Sequence, residues 1–313
     1  MSVSVQTRKF AGEHAGRLLR RLAYQVSQTS RSCNPNAVHD LRVAIRRFNQ
    51  VLIVFKPCFH GKETRKIRRR LKRVMVQAGE VRNHDIALKV LSKSTASAAA
   101  ALRPRLQAQR KEAERDLVSL LRRWIDRKQS IKWRAVLEGS LSRADAAQTA
   151  IGIDETARQI LPGMLKRFIR SGNAAANEKA GAEELHAFRI AAKKFRYSLE
   201  IFAPLYGPQC QNSLTKLKQI QDLLGENNDW ATVERMVSRV KGTETLAAWL
   251  QIKQRKTTEE FCRYWRAEFG TPEQVKALTA SMRRSRPRAA VKKKPVGRSE
   301  PPAQAPKSQA AVA

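Results

Sequence analysis

Apolar residues along most of the chain fall three and four apart. Leu41, Ile45, Phe48, Leu52 and Phe55 form one such row, and Ile67, Leu71, Val74 and Ala78 another. That is the period of an amphipathic helix, and no alternating strand pattern interrupts it. Leu, Ala, Arg, Lys, Glu and Gln, all good helix formers, dominate up to about residue 282. Turn chemistry breaks the pattern at Asn34-Pro35, Pro57 to Gly61, near Gly79, around Gly152, at Ser171-Gly172, at Gly181, at Pro204 to Pro208, and near Gly225 and Gly242. The pattern predicts an all-α chain of about ten helices with short connections, the habit of an antiparallel bundle.

One segment occurs twice. Residues 39–59 and 186–206 align without a gap and share His39/His186, Arg42/Arg189, Ala44/Ala191, Phe48/Phe195, Leu52/Leu199, Phe55/Phe202 and Pro57/Pro204. Arg46/Lys193 and Arg47/Lys194 keep positive charge at two more places. The likeness runs on: Gly79 follows His39 by 40 residues and Gly225 follows His186 by 39, each within a segment that starts Leu-Lys and carries Gly-Glu. Each copy therefore reads as a basic helix, a proline turn, a second helix, a glycine stop and a third helix. A further helix precedes each His, over 5–29 and 153–171, and longer helices over about 97–128 and 243–269 close each half. The expected architecture is two pseudo-symmetric four-helix-type bundles, halves of about 5–145 and 150–282, around a basic central groove or channel.

Helix geometry advances about 100° per residue. Arg42 and Arg46 then share a stripe with His39, opposite the apolar row, and His186, Arg189, Lys193 and Arg196 form the matching stripe. Arg47 and Lys194 lie at its edge, within reach on long stems. On the second helices Arg65, Arg69, Lys72 and Arg73 face away from the apolar side, with Lys216 and Lys218 in the other copy; Lys72 and Lys218 are the matched pair. Like charges at i, i+4 destabilise a helix by a few tenths of a kcal/mol per pair, and neither stripe carries an offsetting acid at helical spacing. A multivalent anion lying along the stripe would relieve that repulsion. Arg offers a planar fork to phosphate oxygens, Lys a point charge, and a protonated His two ring donors. A solvated basic face with counter-ions, and a capping role for each His, are the plainer readings of any one stripe; the repetition in register argues against them.

Charge sharpens the picture. The 313 residues carry 62 Lys and Arg against 27 Asp and Glu, a formal net charge of +35, which calls for a polyanionic partner: nucleic acid, an anionic membrane or an inorganic polymer. From Arg283 onward nine basic residues face Glu300 alone, without large apolar side chains; 283–313 reads as a disordered basic tail. Cys33, Cys58, Cys210 and Cys262 lack metal or redox spacing and read as ordinary thiols. No secretory signal or membrane-spanning run is visible, so the expectation is a soluble cytoplasmic protein.

The repeated His-x-x-Arg-Val/Ile-x-x-Arg/Lys-Arg/Lys-Phe helix, followed by Leu-Lys and Gly-Glu, resembles the CHAD domain (conserved histidine α-helical domain) over about residues 5–280. The resemblance implies a basic surface that binds inorganic polyphosphate, and association with polyphosphate granules. It places the binding positions on His39, Arg42, Arg46, Arg47, His186, Arg189, Lys193 and Lys194, with Lys72 and Lys218 after them; Arg196 joins from the helix geometry. The first copy departs from the family, reading Ala78-Gly79 and then Arg82-Asn83 where Leu-Gly and Arg-Asp are common. The catalytic triphosphate-tunnel domain often fused to such modules has no counterpart, so a stand-alone binding module is expected. A nonspecific DNA or RNA binder is the alternative. A phosphoryl-transfer enzyme ranks below both: no carboxylate-held metal, phosphate-cradling glycine loop, catalytic residue or cofactor is indicated. The sequence does not define an oligomeric state.

Overall fold

The structure, a computed structural model, describes residues 4–59, 61–142 and 151–282. Among the described residues there are ten α-helices and one short 3-10 turn, and no strand. The first half holds α1 (Val5–Arg31), α2 (Pro35–Val54), α3 (Lys62–Leu91), α4 (Ser97–Asp126) and α5 (Gln129–Ser142). The second holds α6 (Ile153–Ala175), α7 (Ala182–Phe202), α8 (Pro208–Val237), α9 (Glu244–Phe269) and α10 (Pro272–Ser281). The expected basic tail, 283–313, lies outside the described residues.

Local chemistry sets the helix starts. Asn34 Oδ1 accepts from the N–H groups of Asn36 and Ala37, and Pro35 occupies the first position of α2, where no amide hydrogen is needed. The Gly181 N–H donates to Glu184 Oε2 (2.9 Å) at the head of α7. Thr271 and Gln274 form a reciprocal box that starts α10.

The same order of neighbours recurs in the two halves. The helix α1 packs on α2, α2 on α3 and α3 on α4; α6 packs on α7, α7 on α8 and α8 on α9. Corresponding helices meet across the middle, α2 with α7 and α3 with α8. Phe55 and Phe202, matched positions of the repeat, pack edge to face with centroids 5.8 Å apart, and Gln50 Nε2 donates to Ser198 Oγ at 2.8 Å in the buried crossing. One contiguous core runs through both halves, from Ala11, Leu19 and Phe48 to Phe188, Phe195 and Trp265. A smaller apolar cluster (Ile86, Val90, Leu106, Trp230, Val233 and Leu250 among its members) joins the far ends of α3 and α8 to α4 and α9.

Two expectations fail in the same way. Gly79 and Gly225 do not stop helices: both lie inside uninterrupted helices of 30 residues, α3 and α8. A glycine inside a helix costs about 1 kcal/mol relative to alanine; at Gly225 nothing lies within 4 Å of a Cβ, so no close contact requires it. At Gly79 the need is space, since a Cβ there would stand 3.0 Å from Arg42 Nη1. Gly172 likewise lies within α6, because a Cβ there would meet the Trp265 ring at 2.1 Å. That ring is packed by Phe168, Phe188 and Phe269, and its Nε1 donates to Asn173 Oδ1.

Arg110 of α4 ties the entry of α2 to α3. Its guanidinium pairs with the buried Asp85 (2.7 Å) and with Glu114, and donates to the carbonyl of Cys33 just ahead of α2. The four cysteines are free thiols; burial pushes Cys33 up to about 12 and Cys58 and Cys210 up to about 11, which keeps them protonated and unreactive. Among the described residues no helix is long and apolar enough to cross a membrane.

The two glycine environments predict opposite outcomes. Gly172→Ala should lower unfolding stability by about 1–3 kcal/mol through overpacking against Trp265. Gly163→Ala, where no atom lies within 4 Å, should raise it by about 0.5–1 kcal/mol. Chemical denaturation of the two variants checks the pair.

Candidate anion-binding groove

Four helices wall a groove of about 720 Å³. The stripes of α2 and α7 supply His39, Arg42 and Arg46 on one side and Arg189, Lys193 and Arg196 on the other. The second half of α3 and the turn after it add Arg82, Lys89 and Lys93, and α8 adds Lys218 and Arg235. Ten Arg and Lys therefore face three carboxylates, Asp222, Glu226 and Asp229, all on α8, so the lining is net positive. The α2/α7 crossing brings the two stripes together, and the core beneath holds them there.

Most of the contacts that hold the cations are to neutral groups. Arg42 Nη1 donates to the Met75 carbonyl (3.0 Å) across the notch at Gly79. Arg46 Nε donates to the Tyr197 hydroxyl (3.2 Å), and the Arg196 guanidinium lies 5.1 Å from the centre of the Tyr197 ring. Arg196 also pairs with Glu200 (3.0 Å) one turn on, so an acid does sit at helical spacing on the α7 stripe, contrary to expectation. The buried Nε atoms of Arg189 and Arg196 and the indole N–H of Trp230 have no hydrogen-bond partner. Lys93 stands over the Trp230 ring at 5.8 Å.

Burial and mutual repulsion depress the basicity of the lining. Burial first, then Arg46, Arg189 and Arg82, bring Arg42 down to about 10. Lys193 falls to about 6, from burial and then from Arg189, Arg46 and Arg42. Arg189 and His39 are lowered too, chiefly by withdrawal from water. Burial raises Asp229 even though Arg82, Arg189, Lys193 and Lys89 pull the other way.

Seven of the eleven residues expected from the sequence line the groove: His39, Arg42, Arg46, Arg189, Lys193, Arg196 and Lys218. Four do not. Arg47 is turned outward and forms a two-point ion pair with Glu200 of α7. Lys194, one residue on from Lys193 and so about 100° round the helix, is exposed. His186 is exposed as well. Arg82 comes near enough to depress His39; the matched position in α8 is the uncharged Asn228. Lys72 lies on the far side of α3 with Arg69 and Arg73, facing α4.

Sequence reasoning missed Arg82, Lys89, Lys93 and Arg235, and the three carboxylates. The signal was present: residues 82 and 89 are seven apart, on one face of a helix, and Lys93 lies two residues past its end. Reading Gly79 as a stop put them on a separate third helix, with no fixed angle to the basic residues of the second. Among the described residues no group of three or more His, Cys, Asp or Glu could hold a metal ion.

The CHAD domain family model matches residues 13–238. Among solved structures, the CHAD domain from the plant Ricinus communis is 19% identical, with a TM-score of 0.66, covering 91% of this chain and 95% of that one. PptA from Streptomyces chartreusis is 14% identical, with a TM-score of 0.56, covering 87% and 99% respectively. At such identities the likeness speaks for the fold. No curated protein matches the chain.

The depressed Lys193 carries a stability prediction. Its folded pKa, about 6, lies far below that of an unfolded lysine. The unfolded chain therefore binds the extra proton between those values, and stability rises with pH across that window. Lys193→Met should raise the melting temperature of the free protein, most at or below pH 6, and the gain should shrink steadily toward pH 10. Thermal melts at pH 6, 8 and 10 test this.

Proposed function

The chain belongs to the CHAD domain family, and we propose that it binds inorganic polyphosphate in the groove between α2, α7, α3 and α8. One observation carries the reading: Arg42, Arg189 and Lys193 are withdrawn from water and crowded together without an ion pair to any described carboxylate. Such an arrangement is costly when empty and is relieved by a ligand that brings several negative charges at once. A chain of phosphates has that charge density along a thin, flexible thread, and it has no bases to read. The groove fits that character. Its aromatic residues, Tyr197 and Trp230, are buried in the wall, so they offer no open platform for stacking bases.

The Nε atoms of Arg189 and Arg196 and the indole N–H of Trp230 are buried without a hydrogen-bond partner, which adds to the cost of the empty groove. The carboxylates of α8 direct the anion toward α2 and α3, where Arg42, Arg46, Arg82, Lys89 and Lys93 concentrate the positive charge. We read the protein as a binding module and not a catalyst, one that would associate with polyphosphate granules through this groove.

Arg42→Glu combined with Arg189→Glu should lower affinity for long-chain polyphosphate at least a hundredfold while helicity by circular dichroism stays intact. Deleting residues 283–313 should weaken binding only a few-fold. Wild-type affinity should fall steeply with salt through counter-ion release, as for other phosphate polymers. Titration by fluorescence anisotropy at two salt concentrations measures all three. Unchanged affinity in the double reversal, with loss on tail deletion, would move the site out of the groove.

A further inference from the structure

The first twelve residues of α3, Lys62 to Arg73, contain eight Lys or Arg and one acid, Glu63. The matched stretch of α8, Pro208 to Gln219, contains only Lys216 and Lys218. Duplication therefore does not account for this charge, and the groove does not use it. Three of the eight are engaged: Lys66 with Glu63, Arg68 with Asn49 and Arg70 with Gln129. Arg65, Arg69, Lys72 and Arg73 are exposed, and among the described residues none of them makes an ion pair. They cover about 12 Å of helix and lie about 120° round α3 from Arg82, Lys89 and Lys93.

The neighbouring helix completes the surface. Between α3 and α4 runs a shallow cleft of about 520 Å³ that Arg69, Lys72, Arg73 and Arg123 line against a single carboxylate, Asp116. Arg123 is steadied by Ser119, to which its Nη1 donates at 2.8 Å.

We propose that this outer face of α3 and α4 is a second docking surface, separate from the groove, that binds the sugar-phosphate backbone of double-stranded nucleic acid without reading its sequence. Exposed contacts are worth little each. On an open face a flexible phosphate chain must also give up its conformational freedom to make them. A duplex is already stiff, presents about one charge per 1.7 Å, and gains from counter-ion release at every phosphate it shares. The cleft is lined by no aromatic residue, so it lacks the platform that single strands use. Four Arg and Lys against one amide, Gln77, and one carboxylate, Asp116, favour contacts to the backbone over base edges.

The test uses the full chain, a 20-base-pair DNA duplex and long-chain polyphosphate as separate anisotropy probes, with circular dichroism as the folding control. Replacing Arg65, Arg69, Lys72 and Arg73 together by Gln should lower duplex affinity at least tenfold and flatten its log–log salt slope by about 3. Polyphosphate affinity should stay within twofold. Replacing Arg65, Arg69 and Arg73 by Lys should keep duplex affinity within threefold, as expected when only phosphates are touched. Loss of duplex binding in the Gln variant supports the surface whether or not the wild-type chain holds polyphosphate. The idea is overturned if the duplex does not bind, if the Gln variant binds it as well as wild type, or if both polymers are lost in parallel.

Discussion

Repulsion between like charges held away from water is the constraint around which this molecule is arranged. Two exposed cations one helical turn apart repel by a few tenths of a kcal/mol. The same pair a few ångströms apart at a half-buried site repels by an order of magnitude more. The first regime describes the outer face of α3; the second describes the meeting of Arg42, Arg46, Arg189 and Lys193. Only the second is expensive enough to need a scaffold. The scaffold is the crossing of α2 and α7, pinned by Gln50 on Ser198 and by Phe55 on Phe202, above a core continuous through both halves.

Acids near the groove are too few to quench its cations. Glu200 is engaged by Arg47 and Arg196 at the edge, and Asp85 is committed to Arg110 behind α3. Asp229 does face the cations, and burial raises its pKa against their pull. The lining stays net positive, and crowding its cations together costs native-state stability.

How much of this was legible beforehand depended on the range of the interaction. The helical period, the turn at Asn34-Pro35, and the repeat of residues 39–59 in 186–206 are local, and they led directly to the all-α class and to the α2 and α7 stripes. What failed was set by contacts distant in sequence. Gly79 looks like a stop until Arg42, 37 residues earlier, is seen to occupy the space beside it. With α3 read as two helices, Arg82 and Lys89 had no fixed relation to the basic residues before Gly79. Arg47 reads as a phosphate ligand until Glu200 is placed next to it. His39 and His186 are matched in the repeat, yet only His39 lines the groove, with Arg82 near it.

The continuity of α3 has a further meaning. Its groove-facing and outward-facing cations sit on a single rigid rod, so the angular offset between the two sets is fixed by the number of residues between Arg73 and Arg82. Side chains in that stretch can be exchanged at modest cost. Adding or removing one residue would twist one set about 100° out of phase with the other, and the helix would have to bulge or break to restore it. This segment should tolerate divergence in identity while holding its length invariant, a constraint of reading frame and not of chemistry.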